Sequence, residues 1–400
     1  MTKRNSIPPM TKEVAEWRHA LHQNPGLMYE ETFANQLVQE KLTAWGIPFK
    51  TGLGKTGIVA WIDGKTNTLG RTIGLRADMD ALPILEKSGQ PWASKTPGLM
   101  HGCGHDGHTS ILLGTAKYLQ ETRNFDGRVL LIFQPAEEGG RGAFAMIKDG
   151  LFKGDLKCDA VYALHNWPYQ PVGTAAIKPG PIMASVDDFN ITVNGKGGHA
   201  AYPARCIDPI VLGAQIVTAL QTIISRYVPA QDSAILSITN FNAGTGAHNV
   251  IPDTANINGT VRTFKEEVRV LIETKMKKIC ADLGAAYDAK IDCEYERNID
   301  PTINDPAHTV IAADAMARVL GEENVDRAVD PTMGGEDFGG MLAAVPGAYI
   351  FMGQGTNDPK SPHNQGLHNP GYDFNDEALA VGIDFFAEIV ESGLPLKSPK

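Results

Sequence analysis

The stretch Arg128-Val129-Leu130-Leu131-Ile132-Phe133-Gln134-Pro135-Ala136-Glu137-Glu138-Gly139 decides the fold. Residues 128–133 are a short apolar run, continuous rather than alternating, which suits a strand buried inside a sheet. The run breaks at Pro135 and delivers two adjacent carboxylates. Residues 72–77 repeat the arrangement and lead into Asp78 and Asp80, and residues 160–164 lead into His165. Three candidate core strands therefore finish in polar groups. Ligand sites of open α/β sheets lie just outside the carboxyl ends of the strands.

Working outward, residues 11–22 and 31–45 read as helices, closed by Pro25-Gly26 and by Gly46-Ile47-Pro48. Residues 57–62 read as a strand and 109–120 as a helix. Strands alternating with helices predict an α/β sheet covered on both faces. The texture changes at Ala184. An alternating strand (186–193), an amphipathic helix (207–227), two strands (234–241 and 254–263), a helix (266–283) and a strand (289–295) follow. This β-α-β-β-α-β order is ferredoxin-like. The expectation is an inserted domain at 184–298, within a metal-binding domain made of 1–183 and 299–400. The latter resumes with a helix (307–320), a strand (348–352) and a last helix (376–392).

Composition bounds the function. Of the 400 residues, 42% are hydrophobic and 20% charged, and the formal net charge is −10. A surface with this balance excludes nucleic acid or an anionic membrane as the main partner. The five cysteines, Cys103, Cys158, Cys206, Cys280 and Cys293, are odd in number and scattered, so no disulfide framework is expected. No apolar run follows the charges near the N-terminus, and none reaches the roughly 20 residues of a membrane span. These features predict a cytoplasmic, reducing location.

The chemistry concentrates in His101-Gly102-Cys103-Gly104-His105-Asp106-Gly107-His108. Thiolate and imidazole in a glycine-rich loop, with carboxylates nearby, are the donors that zinc prefers. Cys103 and His105 are the candidate ligands here, and His101 and His108 are read as residues that support them or open the next helix. Adjacent side chains diverge, so one of Glu137 and Glu138 can bind metal while the other handles protons. His165 and His368 bring the donors to five with Cys103, His105 and Glu138, a number suited to two ions that also share a water. Asp78 is expected behind the ligands, supporting one of them. Decoys fail on context. Residues 52–57 match GxGxxG but precede a strand, and there is no GxSxG elbow and no HExxH helix. A thiol hydrolase using Cys103, or a non-catalytic protein that binds acyl-amino acids or peptides, are the competing readings.

Several motifs in order now carry a resemblance: Trp17-Arg18-His19, Arg76-Ala77-Asp78-Met79-Asp80, the Cys103 loop, the Glu137 segment, His165-Asn166-Trp167-Pro168, the Gly195–Pro203 turn, Asn249-Val250-Ile251-Pro252-Asp253, Gly334-Gly335-Glu336-Asp337-Phe338 and Leu367-His368-Asn369. The chain resembles the hippurate hydrolase and auxin-conjugate hydrolase branch of the aminoacylase/carboxypeptidase metallopeptidases. That resemblance implies a two-domain fold, a metallopeptidase-type α/β catalytic domain with an inserted ferredoxin-like α+β lid domain through which a homo-oligomer could form. It implies two divalent ions on Cys103, His105, Glu138, His165 and His368, zinc foremost, with manganese, cobalt or nickel as substitutes. It implies cleavage of an N-acyl-amino acid, the small-molecule partner, by metal-activated hydroxide with Glu137 as general acid and base. His199 would stabilise the oxyanion, and Asn249 and Arg262 would take the substrate carboxylate.

Overall fold

The computed structural model describes residues 4–396. The chain divides into two compact units. Residues up to Ile182, Thr302–Pro331 and the chain from Asp337 onward form the first, and Met183–Pro301 with Thr332–Glu336 form the second. The first unit opens with α1 (Ile7–Gln23), α2 (Thr32–Ala44), β1 (Phe49–Leu53), β2 (Gly57–Asp63), β3 (Thr72–Asp78), α3 (His105–Thr122), β4 (Arg128–Gln134), α4 (Gly142–Lys148), β5 (Ala160–Pro171), β6 (Ala175–Ala176) and β7 (Gly180–Met183). The second contains β8 (Val186–Asn194), β9 (Gly198–His199), α5 (Pro209–Thr222), β10 (Ala234–Ala243), β11 (Val250–Ile251), β12 (Thr254–Thr263), α6 (Glu266–Ala286) and β13 (Lys290–Ile299). The chain then runs through β14 (Thr302–Asn304), α7 (Pro306–Leu320), β15 (Val325–Asp326), α8 (Phe338–Ala344), β16 (Gly347–Gly355) and α9 (Glu377–Gly393).

The first unit is built on one eight-stranded sheet of order β1-β2-β4-β3-β5-β16-β6-β15. Its centre, β4-β3-β5-β16, is parallel, while β1 and β2 add on antiparallel. Both faces are covered. Leu75, Leu131, Tyr162 and Ile350 belong to one core with residues of α1, α3, α7 and α9. The alternate positions Leu130, Ile132, Val161 and Phe351 are buried as well, and α4 and α8 pack on β4 and β5 there. Continuous burial explains why these strands read as unbroken apolar runs. Since the four central strands are parallel, their carboxyl ends share one edge. Asp78 ends β3, and Glu137 and Glu138 follow the end of β4.

Among the boundaries that differ from the sequence reading, three in the first unit have a local reason. Helix α1 starts at Ile7 rather than Thr11, with Pro8 and Pro9 in its opening turn, where a missing amide hydrogen costs nothing. Helix α3 starts at His105 rather than Thr109, inside the metal-type motif. Strand β5 does not stop at Leu164, because His165 pairs in register with Phe351 of β16 and the ladder continues.

The second unit is a four-stranded antiparallel sheet of order β10-β12-β8-β13, the ferredoxin-like arrangement. Phe189, Ile191 and Val193 of β8 are buried at every second position and join Leu212, Ile216 and Leu220 of α5 and Ile272, Met276 and Cys280 of α6 in one core. Asp208 caps α5 by accepting the amide hydrogens of Ile210 (2.9 Å) and Val211 (3.4 Å), with Pro209 next. The helix then ends in a π-turn over Ile223–Tyr227, where the reading had expected unbroken helix. At the edge of this core lies Asp187, fully buried. Its Oδ2 accepts from Arg269 Nε (2.8 Å) and from the Tyr295 hydroxyl (2.7 Å), which ties β8 to α6 and β13. Removing one member of a buried pair leaves the other charge uncompensated. Asp187→Ala is therefore expected to destabilise the second unit by about 3 kcal/mol, measured by urea unfolding.

Candidate metal centre

The loop before α3 turns on Gly104, whose φ is +93°. A Cβ there would lie 2.3 Å from Asn166 Oδ1 and 2.7 Å from Tyr372 Oη, so the position requires glycine for its conformation and for space. The turn places His105 at the head of α3, buried, with Cys103 just before it.

His105 is oriented by Asp80. Its Nδ1 donates to the Asp80 carbonyl at 2.9 Å and lies 3.3 Å from Asp80 Oδ1. A carbonyl can only accept, so a hydrogen sits on Nδ1, and Nε2 is the ring atom left to bind a cation once its own proton is displaced. Nε2 is buried and has no hydrogen-bond partner. It lies 3.7 Å from Asp78 Oδ2 and 4.0 Å from Glu137 Oε2. Burial alone would lower the pKa of this imidazole. The carboxylates of Asp78, Asp80 and Glu138 outweigh it and push the pKa up to about 10. The site thus calls for positive charge beside Nε2.

His165 has the same design. Its Nδ1 donates to the Asn166 carbonyl at 2.7 Å, and Nε2 faces Cys103 Sγ at 3.5 Å. Burial, reinforced by neighbouring His108, holds it neutral, the form that binds metal. His108 has both ring nitrogens engaged within the protein. Nδ1 is engaged by Asp78 Oδ1 (2.6 Å) and Nε2 by Asn166 Oδ1 (2.7 Å), in line with its reading as a supporting residue. Asp78 stays ionised despite burial because Arg76, 2.7 Å away, holds its pKa well below the usual range, helped by His105 and His108.

Glu138 faces His368, with Oε1 3.1 Å from Nε2. Burial raises the Glu138 pKa, and the hydrogen bond from His368 and the charge of His105 more than reverse this. His368 is held by its own amide hydrogen, which donates to the Gly102 carbonyl at 2.8 Å. Its φ is +65°, and that of Ala136, just before Glu137, is +52°. Strained backbone of this kind persists only where surrounding structure enforces it, and it clusters at functional sites. For Cys103, burial and then the charges of Glu138, Glu137 and Asp78 push the thiol pKa well above normal. That opposes a free thiolate nucleophile, whereas a bound cation inverts the balance.

Three donor groups, each with atoms within 4.8 Å of one another, overlap in this place: Cys103, His105 and His165; Cys103, Glu138 and His368; and His105, Glu137 and Glu138. Cys103 belongs to two of them. A thiol, three imidazoles and two carboxylates around an orphaned, buried Nε2 fit divalent metal ions. The structure thus brings together all six first-unit candidates, and it places Asp78 on the Nε2 side of His105 and against His108 Nδ1, with Asp80 rather than Asp78 behind the His105 ring. It leaves His199, Asn249 and Arg262 on the second unit. There His199 and Val250 pair between β9 and β11, the Asn249 carbonyl accepts from Ala200, and Arg262 lies half-buried on β12. Two partners were missed. Asp80, read only as a strand-end carboxylate, orients His105 and also accepts the Glu138 amide hydrogen at 2.9 Å. Asn166, read only as the neighbour of His165, engages His108. Their signal was position alone, two residues past Asp78 and one past His165.

A family model, Peptidase family M20/M25/M40, matches residues 74–392. Hippurate hydrolase of Campylobacter jejuni is 41% identical over 96% of this chain and 98% of its own length. N-acetyl-L-cysteine deacetylase of Bacillus subtilis is 40% identical over 96% of this chain and 88% of its own. The crystal structure of Bacillus subtilis YXEP protein, described as a dinuclear metal binding peptidase, is 35% identical with a TM-score of 0.82, covering 97% of this chain and 99% of that one.

Partners that orient a ligand contribute about 10–100-fold to metal affinity. Asp80→Ala should weaken metal binding by that amount, measured by competition with a fluorescent chelator.

Proposed function

The chain belongs to Peptidase family M20/M25/M40, and from that membership we propose a metal-dependent amidohydrolase that cleaves N-acyl-amino acids, hippurate-like or related aryl and acyl conjugates, to a carboxylic acid and a free amino acid. The observation that carries the reading is His105 Nε2, buried without a partner among Cys103, Glu137, Glu138 and His165. Two divalent ions would be held by Cys103, His105, Glu138, His165 and His368, zinc being favoured by the thiolate. When bound, such ions polarise the scissile carbonyl and lower the pKa of a water into the neutral range.

The residues of the chain do the rest. Glu137 is 7% exposed, so its carboxylate works in a nearly dry cleft where proton transfers are not lost to bulk solvent. It takes a proton from the attacking water as the new C–O bond forms. It returns that proton to the amide nitrogen as the C–N bond breaks, so the amine leaves neutral. His165 and His105 keep their Nε2 atoms turned inward because Nδ1 of each donates to a backbone carbonyl. We assign His199 to the developing oxyanion, a donor worth roughly 3–4 kcal/mol where it is well placed. Asn249 and Arg262 are assigned to the substrate carboxylate. Burial lowers the pKa of Arg262, opposed by Asp188 and Asp187, and an anionic ligand would complete its pairing.

Two tests follow. Glu137→Gln, isosteric but unable to carry the proton, is expected to lower kcat by about 10²–10⁴-fold while metal content, measured by elemental analysis, is unchanged. Full activity in that variant refutes the role. Chelation should abolish hydrolysis across a panel of N-acyl-amino acids including hippurate, and added zinc or manganese should restore it. Activity that survives chelator but is lost on thiol alkylation would instead support the cysteine nucleophile.

A further inference from the structure

One sequence motif, Trp17-Arg18-His19 on α1, has no part in the chemistry above, yet Arg18 is wholly buried. Its Nε donates to Asp376 Oδ1 at 2.8 Å and its Nη1 to Asp373 Oδ1 at 3.0 Å. Nη1 also lies 3.6 Å from Asp106 Oδ2. Asp106 follows His105 directly in the chain, and Asp373 lies on the segment that leads from His368 to α9. The two segments that supply Cys103, His105 and His368 are therefore clamped from behind by one guanidinium. Toward the donors they are joined by the hydrogen bond from the His368 amide to the Gly102 carbonyl, and through Asn166, whose Oδ1 meets His108 Nε2 and whose Nδ2 donates to Tyr372 Oη, both at 2.7 Å.

The clamp is itself held rigid. The guanidinium sits 4.8 Å above the Trp92 ring, and the Trp92 indole N–H donates to Asp373 Oδ1 at 2.9 Å. His19 stacks on that ring with centroids 3.8 Å apart and bonds Asp376 Oδ2 at 2.8 Å. His22 Nδ1 meets Asp106 Oδ2 at 2.8 Å. A planar fork fixes the spacing of the carboxylates it spans, whereas a lysine ammonium is a compact point charge that does not.

We infer that Arg18 is a positioning residue for the metal centre, setting the distance between the His368 segment and the Cys103–His105 loop. This rests on the metal-dependent reading above. It singles out the donor group Cys103, Glu138 and His368, which straddles the two segments, over Cys103, His105 and His165, which does not depend on the His368 segment.

The test is calorimetric titration of metal-stripped protein with Zn²⁺, on wild type, Arg18→Lys and, as a stability control in the second unit, the Asp187→Ala variant. Lysine keeps the buried positive charge, so the fold is retained while the fork is lost. Wild type is expected to take up two ions. In Arg18→Lys one of them should bind about 10–100-fold more weakly and the other within about threefold of wild type. In the same variant kcat should fall, with KM for an N-acyl-amino acid little changed. Should Arg18→Lys fail to fold, isosteric Asp373→Asn removes the same charge contact, and the same unequal loss is expected. Two ions bound as in wild type, or both weakened in parallel, overturn the inference alone. A wild-type protein that takes up no metal overturns the reading beneath it as well.

Discussion

Carboxylates crowd the carboxyl edge of the parallel sheet, and the structure depends on the cations set against them. Asp78, Asp80, Asp106, Glu137 and Asp337 are all buried, and carboxylates buried together repel unless paired. Arg76 answers this from inside the sheet. Its guanidinium donates to Asp78 Oδ2 (2.7 Å), Gln134 Oε1 (2.8 Å) and Asp337 Oδ1 (3.3 Å), which joins the ends of β3 and β4 to the start of α8. Arg18 answers it from the helical layer. The carboxylates of Asp78, Asp80 and Glu138 still bear on His105, and a divalent ion bound beside it would answer them.

The sequence showed the ends of the strands better than their course. A strand buried on both faces must be apolar until it leaves the sheet, so the switch from apolar to acidic at Asp78 and at Glu137 marks an edge whatever the tertiary contacts. His165 was harder, because it lies within β5 and its burial depends on β16, a strand almost two hundred residues away in the chain. The helix in the Cys103 loop was placed four residues late for a similar reason. Glycines at 104 and 107 argue against helix, yet Gly104 is the left-handed turn before it, and Gly107 is needed because a Cβ would strike the Phe374 ring at 2.3 Å. Propensity reads the cost of a glycine and cannot see the ring that demands it.

Residue identity also marked the donors better than their supports. A cysteine and a histidine two apart in a glycine-rich loop are conspicuous. Aspartate 80 is one acid among 46 acidic residues, and nothing in the chain marks it as the partner of His105 rather than a solvated turn. Such partners become visible only when the fold supplies distances, and Arg18 is the extreme case, a helix residue whose three acidic neighbours come from two remote segments.

This division bears on how the centre can be both strained and well ordered. Glu137 follows one left-handed residue, and His368 is itself another; neither segment would hold such geometry alone. Each is fixed by a hydrogen bond to a segment distant in the chain. The Ala136 amide hydrogen donates to Glu31 at 2.9 Å at the entrance to α2, and Gly102 receives the amide of His368. Rotamers fixed by supporting bonds spare a site the reorganisation that loose donors would need on binding. The loops thus bring the reactive atoms, and the sheet, α1 and α3 decide where those atoms stop.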